Sequence, residues 1–382
     1  MAEHHDRPSG IPAGASAAAV TLARPSAGGA PESGGADAPG VDALSDVLRA
    51  VRLTGALFFR VDAGPPWVIA MPEAARFAPL LRPRAQHVIS YHVVTRGSCW
   101  AGLPGREPIR LAEGDVCLVP QGDAYAMALA PDLRGGPDCE QVLAFMQAMA
   151  AGQLPFTVVE GGTGGERLGL VCGFLGCDAH PFNPLLAALP RLLRVPGRLG
   201  PGDPLGRLVE FAVAESEDRR AGAECVRLRL SELMFVEVVR RHLAGLPAEE
   251  RGWLAGLRDR FVGRALALLH ERPGAAWTLE GLARAVGLSR SALAERFAHL
   301  VGEPPGQYLT RWRMQVAARL LADGEAKVAA VGAQVGYDSE AAFSRAFKKA
   351  AGVSPAAWRS QYARGRAPGS DRPAARPARS PR

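Results

Sequence analysis

The sequence predicts a two-domain protein, with an N-terminal all-β barrel plus connecting helices and a C-terminal all-α domain with two helix-turn-helix units. Three observations predict this fold class. Between residues 55 and 195, short apolar runs broken by Gly and Pro recur at roughly ten-residue spacing, as in a barrel or sandwich. From Pro204 onward the hydrophobic period becomes helical. Near the C-terminus, a pattern of helix, glycine and helix occurs twice.

The two ends of the 382-residue chain differ in composition from the rest. Residues 1–40 are mainly Ala, Gly, Pro and Ser, and residues 363–382 are mainly Arg, Pro and Ala. Segments of this kind bury too little apolar surface to offset the entropy of ordering. Both ends are therefore predicted to be disordered.

The sequence gives no sign of export or of a membrane. The N-terminus lacks a basic segment followed by an apolar one, which argues against a secretory signal. No run of about 18 apolar residues occurs, so no transmembrane helix is expected. The six cysteines are few for this length and include no C-x-x-C pair, so we expect reduced thiols. We therefore expect a cytoplasmic protein.

The formal net charge of +7 is concentrated at the C-terminal end. Residues 260–362 hold 14 Lys and Arg against 8 Asp and Glu, and the tail after Ala363 holds six Arg and one Asp. A basic third on a slightly acidic body indicates a polyanionic partner at that end. A merely solvated basic surface is the alternative.

Residues 41–203 form the predicted barrel domain, and residues 204–256 form the connecting helices. A short amphipathic helix, "VDALSDVLRAVRL", comes first, and runs such as "HVISYHVV" and "RLGLVCGFLG" are the predicted strands. The connecting helices carry an apolar face that needs burial against the barrel or against a second subunit. It consists of Val226, Leu230, Leu233, Val236 and Leu243.

The repeated pattern lies within residues 257–362 and predicts two helix-turn-helix units. In the first unit, one helix face and the glycine that ends the helix are Leu279, Leu282, Ala283, Val286 and Gly287. In the second unit the same positions are Val328, Val331, Gly332, Val335 and Gly336. After the turn, Leu293, Phe297, Gly302 and Pro305 return as Phe343, Phe347, Gly352 and Pro355. The small residues Ala283 and Gly332 let two helices cross closely, and the turn glycine allows a positive φ.

The second helix of each unit has a polar face of the kind that contacts base edges and phosphates in a major groove. Ser289, and either Asp338 or Ser339, are N-cap residue types that open these helices. The candidate DNA-binding residues are Ser289, Arg290, Ser291, Glu295 and Arg296 in the first unit, and Ser339, Glu340, Ser344, Arg345, Lys348 and Lys349 in the second. Two hairpins in an ordinary helical bundle would explain the helices, but not the repeat and its basic bias together.

The segment between the units, "GQYLTRWRMQVAARLLADG", predicts a single helix that Gly324 ends. A rigid helix would fix the distance between the two units. Successive major-groove faces of B-DNA are about 34–36 Å apart, so a fixed spacer suits a protein that contacts two of them.

These residues resemble the DNA-binding domain of the AraC/XylS family of bacterial transcription regulators, over about residues 260–362. The motifs that carry the resemblance are "WTLEGLARAVGLSRSALAERF", "YLTRWRMQVAARLL" and "VGYDSEAAFSRAFKKAAGVSPAAW". The resemblance implies seven helices, binding to double-stranded DNA and dimerisation through the connecting helices. It also implies which positions face bases: Ser291, Ala294 and Glu295, then Glu340, Ala341, Ser344 and Arg345.

Two stretches of the barrel resemble the sequence motifs of cupins. "GDVCLVPQGDAY" is similar to the second cupin motif, with Tyr125 where a metal-binding histidine normally stands. "HVVTRGSCWAGLPG" is similar to the first, in which His92 matches a ligand and Val94 does not. A catalytic metal usually needs about three protein ligands, so we expect no metal and no cofactor. The resemblance implies an effector-sensing domain.

The inward-facing polar residues of that barrel could line an effector pocket, or they could be satisfied core residues. The candidates are Ser90, His92, Cys99 and Tyr125. Cys172 and Cys177, with His180, form a C-x4-C-x2-H pattern. Inert buried thiols, redox sensing and metal binding are the three interpretations of it.

The function expected from the sequence is a sequence-specific DNA-binding transcription regulator, controlled by a small-molecule or redox effector. We expect a homodimer that acts with the transcription machinery and is not an enzyme. The alternative is a cupin metalloenzyme fused to a DNA-binding domain, which the missing ligands at Val94 and Tyr125 disfavour. An architectural DNA binder without sensing would leave the barrel without a role.

Overall fold

The computed structural model describes residues 42–50, 53–81, 87–177, 180–197, 202–217, 221–247, 249–324 and 326–363. The predicted disordered N-terminal segment, residues 1–40, lies outside these residues. So does the predicted tail, except for Ala363, which ends the last described helix.

The described part of the N-terminal region contains ten strands. They are β1 (Thr54–Ala63), β2 (Val68–Met71), β3 (His87–Arg96), β4 (Ser98–Gly102), β5 (Ile109–Ala112), β6 (Val116–Val119), β7 (Tyr125–Ala128), β8 (Thr157–Glu160), β9 (Leu168–Cys177) and β10 (Leu193–Val195). They form a six-stranded sheet, in the order β10-β6-β3-β9-β1-β8, and a four-stranded sheet, in the order β2-β7-β4-β5. All pairs are antiparallel except β1 with β8. The predicted β-rich cupin-like domain is confirmed, with its strands in two sheets.

Within the described residues, seven helices accompany the strands or follow them. They are α1 (Ala43–Ala50), α2 (Ala74–Leu81), α3 (Cys139–Ala150), α4 (Pro184–Ala188), α5 (Pro204–Glu217), α6 (Ala223–Gly245) and α7 (Trp253–Arg258). The predicted change to helical structure at Pro204 coincides with the start of α5. None of the helices among the described residues is both long and apolar enough to cross a membrane.

Seven further helices form the C-terminal region of the described chain, as the AraC/XylS resemblance implies. They are α8 (Arg260–Glu271), α9 (Leu279–Val286), α10 (Arg290–Val301), α11 (Pro305–Asp323), α12 (Val328–Gln334), α13 (Glu340–Ala351) and α14 (Pro355–Ala363). The first helix-turn-helix unit is α9 with α10, and the second is α12 with α13.

The six-stranded sheet is buried on both faces, which explains the continuous apolar run of β9. Side chains alternate between the faces: Phe59 and His92 point towards the four-stranded sheet, whereas Phe58 and Tyr91 point away from it. The Tyr91 hydroxyl lies 2.9 Å from the Ser231 hydroxyl of α6. A Cβ atom at Gly173, the cross-strand neighbour of Tyr91, would lie 2.1 Å from the tyrosine ring, so a side chain there would displace it.

The connecting helix α6 buries a different face from the one predicted. Met234, Phe235, Val238 and Val239 are fully buried, whereas Leu233, predicted from the sequence to lie on the apolar face, is 52% exposed. Leu230, Met234 and Val238 follow one another at four-residue steps and are buried. The apolar face that packs on the sheet therefore lies beside the face predicted from the sequence.

One continuous apolar core joins the outer face of the six-stranded sheet, α5, α6 and the first helix-turn-helix unit. Helix α1, predicted from the sequence to belong to the barrel domain, packs against α8 and α11. Gln315 of α11, 1% exposed, accepts a hydrogen bond from the Phe182 backbone at 3.1 Å and donates one to the Ala50 carbonyl at 3.3 Å. The first unit is thus fastened to the N-terminal region.

The second unit has a separate core. Phe343, Phe347 and Trp358 pack there against Met314 and Leu321 from the C-terminal half of α11. Helix α11 therefore contributes to both cores, and it joins two units whose apolar contacts are otherwise independent.

Candidate nucleic-acid interface and sensor cavity

The first helix-turn-helix unit has the caps and the turn that the sequence predicts. Helix α9 ends at Gly287, whose φ of 78° lies in the left-handed region that glycine adopts without strain. Helix α10 begins at the N-cap Ser289, whose hydroxyl accepts a hydrogen bond from the Ala292 backbone at 3.2 Å. These local features set the angle at which α10 leaves the turn.

The second unit repeats this construction. Gly336 has a φ of 84°, and Ser339, rather than Asp338, is the N-cap of α13. A Cβ atom at Gly332 would lie 3.0 Å from the Phe343 ring, so the absent side chain lets α12 and α13 cross closely. The predicted reason for a small residue at this position therefore fits the packing.

Each second helix has one buried face and one polar face. Leu293 and Phe297 of α10, like Phe343 and Phe347 of α13, are fully buried. Of the predicted DNA-binding residues, all are exposed except Ser344, which is half-buried. Helices α10 and α13 can therefore enter a groove with their polar faces while their apolar faces hold them in the domain.

The side chain of Arg313, on α11, fixes the two units relative to each other. Its guanidinium donates to the carbonyls of Pro273 at 2.7 Å and Ala275 at 2.8 Å, which precede the first unit. It also reaches the Gly336 carbonyl in the turn of the second unit, at 3.5 Å. One half-buried cation on a rigid helix thus connects the segment before the first unit with the turn of the second, and burial lowers the pKa of Arg313.

The barrel interior holds the four predicted pocket residues, all nearly fully buried. The His92 Nε2 atom lies 2.6 Å from the Tyr125 hydroxyl. Burial lowers the pKa of His92 to about 3 and raises the pKa of Cys99 to about 12, so both side chains are uncharged at neutral pH.

A cavity adjoins these residues between the two sheets. Its volume is about 420 Å³, including the part open to solvent. His92 and Cys172 line it, whereas Ser90, Cys99 and Tyr125 do not. The structure therefore brings the predicted residues together but places only His92 of the four at the cavity wall.

Comparisons with known proteins match both regions. Residues 42–244 match the cupin family, and residues 282–361 match a helix-turn-helix domain family. An AraC-like transcription regulator of Streptomyces antibioticus is 34% identical over 328 residues, which are 84% of this chain and 98% of that protein. This chain belongs to the AraC family of transcription regulators. The family resemblance seen in the sequence is confirmed.

Other transcription regulators are also similar to this chain. The transcriptional regulator AlkR of Acinetobacter baylyi is 29% identical over 325 residues, covering 84% of this chain and all of that protein. Among solved structures, the DNA-binding domain of the global transcriptional factor AdpA in complex with a target DNA is 32% identical. The match covers 29% of this chain and 99% of the AdpA domain, with a TM-score of 0.28.

The two units of this AraC-family regulator differ in how many of their basic side chains are engaged in ion pairs. In the first unit, Arg290 pairs with Glu280 at 3.0 Å, and Arg296 pairs with Asp259 at 2.5 Å. Burial alone would raise the pKa of Asp259, but hydrogen bonds from Arg296 and from two backbone N–H groups outweigh it and lower that pKa. Arg345, Lys348 and Lys349 of the second unit form no ion pair within the described chain. The second unit therefore offers more unpaired cations to DNA.

The cysteine pattern of this AraC-family protein is not brought together. Cys172 lies in the core between the sheets, whereas Cys177, five residues along β9, lies in the core on the opposite face. Burial raises the pKa of the Cys172 thiol, which disfavours the reactive thiolate. Across the described residues, no three His, Cys, Asp or Glu side chains are grouped so that they could hold a metal ion.

Most of the cavity wall was missed from the sequence. Its aromatic residues are Phe59, Trp67, Phe145 and Phe174. Only the alternation in "GALFFRV" and "LVCGFLG" signals inward-facing positions, and it does not show which of them border a cavity rather than packed core.

Proposed function

We propose that this AraC-family regulator reads specific DNA sequences with α10 and α13, and that a ligand in the barrel controls it. The observation that carries the proposal is the pair of similar units, each with an exposed polar helix face, which Arg313 clamps at a fixed separation. A rigid pair suits successive major-groove faces, which lie about 34–36 Å apart. The predicted contact residues, from Ser289 to Arg296 and from Ser339 to Lys349, are proposed as the interface.

The unpaired cations of α13 give the sharpest test. Arg345→Ala should relax the preference at a base pair and weaken specific binding by about 1–3 kcal/mol, because arginine reads guanine edges through paired hydrogen bonds. Lys348→Ala, one turn further along, should weaken binding to all sequences similarly and reduce the salt dependence by about one unit of slope. Selection from random DNA followed by binding titrations at several salt concentrations measures both.

Each variant is the experimental control for the other, since each removes one exposed cation from the same helix. If both lost specificity equally, the proposed division between base and phosphate contacts would be wrong. If the intact chain selected no sequence at all, sequence reading itself would be excluded.

Transmission of the ligand signal is supported by adjacent residues of β3. His92 lines the cavity, and its neighbour Tyr91 points to the other face of the sheet, where it contacts Ser231 of α6. Helix α6 shares its core with the first helix-turn-helix unit. A ligand that moved β3 would therefore act on the DNA-binding region through packed contacts.

Dimerisation, contact with the transcription machinery and a cytoplasmic location complete the proposal. Phe211 of α5 and Leu233 of α6 are each 52% exposed, which is unusual for large apolar residues of connecting helices. A second copy of the chain would cover them. The requirement for DNA supports a location in the cytoplasm.

We further propose that the barrel is not enzymatic, because the cupin metal ligands are incomplete. A single histidine, His92, holds a divalent metal too weakly to survive purification. The purified protein should contain iron, zinc and manganese well below one equivalent by elemental analysis, and a chelator should leave DNA binding unchanged. One tightly bound metal per chain that is lost in His92→Ala would favour the metalloenzyme alternative.

A further inference from the structure

The wall of the cavity between the sheets is mostly apolar. Thirteen residues line it, and ten of them are apolar. Four are aromatic and three are the flexible methionines Met71, Met127 and Met146, which adapt to ligands of irregular shape. An apolar cavity of this kind takes up apolar or weakly polar organic molecules, and movement of its methionine side chains would open the wall for a ligand with one ring.

One of the residues that line the cavity, His92, has a buried nitrogen without a partner among the described residues. The His92 Nε2 atom is engaged with the Tyr125 hydroxyl, but the Nδ1 atom has no hydrogen-bond partner among the residues described. An unsatisfied buried nitrogen costs free energy, and a ligand that bonds to it removes that cost. Depending on the tautomer, Nδ1 is a donor or an acceptor, and a hydroxyl group can match either.

The charges at the wall oppose an anionic ligand. Among the described residues that line the cavity there is no Lys or Arg, and the one carboxyl is that of Glu160. That carboxyl accepts a hydrogen bond from the Trp67 indole at 2.5 Å, so this indole N–H is not available to bond to a ligand carboxylate. A carboxylate ligand would meet a like charge and no compensating cation.

We propose that the barrel cavity binds an uncharged organic molecule with one ring, whose single hydroxyl group bonds to His92 Nδ1 while its apolar part fills the aromatic and methionine wall. The inference rests on the proposed sensing function and names the chemical class of its ligand. It assigns His92 as the residue that selects a hydroxyl over a purely apolar compound.

Four compounds with one seven-carbon skeleton test this assignment: toluene, benzyl alcohol, benzoate and benzylamine. Their binding to the full-length protein without DNA is measured by ligand-observed NMR and by the shift in melting temperature. Benzyl alcohol should bind roughly 3- to 10-fold more tightly than toluene, as expected for one net hydrogen bond. Benzoate should bind more weakly than either because it meets the Glu160 carboxyl, and benzylamine because the loss of water around its ammonium in an apolar cavity outweighs its attraction to that one carboxyl.

The variant His92→Phe removes Nδ1 and should bring benzyl alcohol down to the affinity of toluene. The matched control is His87→Phe on the same strand, because His87 bonds to the Pro120 carbonyl and does not line the cavity. Binding of none of the four compounds, equal binding of toluene and benzyl alcohol, or tightest binding of a charged compound would overturn the inference. The ranking in the unmodified protein decides this even if His92→Phe fails to fold.

Failure here and failure of the proposed function give different results. A chain that binds none of the compounds but still shows an Arg345-dependent base preference would retain its DNA-reading function. A chain that binds benzyl alcohol but selects no DNA sequence would retain the ligand assignment and lose the proposed function.

Discussion

Replacing Phe347 by Ala is expected to unfold the second helix-turn-helix unit while the barrel and the first unit stay folded. Phe347 is fully buried, and its ring centroid lies 5.7 Å from that of Phe343 and 5.8 Å from that of Trp358. Such a truncation costs about 3–5 kcal/mol. A segment of roughly 50 residues has only about 2.5–7.5 kcal/mol of stability in total. Because its core is separate, the loss falls on this unit alone.

Thermal unfolding followed by circular dichroism should show a new, lower transition in Phe347→Ala, and the DNA footprint should contract to the half that α10 contacts. Phe347→Leu keeps most of the apolar volume and should cost far less. A single transition in which the barrel and both units unfold together would show that the two cores are not independent.

Gln315→Met is expected to lower the free energy of unfolding by roughly 2–6 kcal/mol, since it leaves two buried backbone groups without partners at about 1–3 kcal/mol each. The groups are the Phe182 N–H and the Ala50 carbonyl, which the Gln315 amide joins to α11. Methionine has a similar volume, so the loss measures the hydrogen bonds rather than a cavity. Denaturant unfolding gives the stability, and hydrogen exchange in α1 reports the loosened contact.

The control for this change is Gln307→Met, on the same helix but exposed. It should leave both stability and the exchange of α1 near their original values, as surface substitutions usually do. If Gln315→Met unfolded at the same denaturant concentration as the original protein, the amide would not be what fastens α11 to the N-terminal region.

The helix-turn-helix units could be predicted from the sequence because their determinants are local. A cap such as Ser289, a turn glycine such as Gly336 and apolar residues at helical spacing act within a few residues of one another. The resemblance to cupins also places Tyr125 and Val94 at positions where cupins hold metal ligands, and the loss of the metal site stays a prediction. Which residues contact DNA remains a prediction.

The remaining features depend on residues far apart in the chain. The cavity wall unites Phe59, Phe145 and Phe174, and only strand pairing and the packing of α3 bring them together. The pairing of Arg296 with Asp259 spans 37 positions, so the sequence alone presented Arg296 as a free cation. Gln315 stands three residues after Trp312 on the apolar stripe of α11, but its partners lie in another region.

The contact of α1 with α11 has a consequence for synthesis on the ribosome. Ala50 and Gln315 are 265 positions apart, so the first described helix emerges long before the helix on which it docks. At about 5–20 residues per second, it waits roughly 13–53 s with its apolar face uncovered. During that interval Leu44 and Val47 are open to chaperones or to neighbouring nascent chains. Completion of the native fold is therefore delayed until α11 has left the exit tunnel, however early the barrel forms.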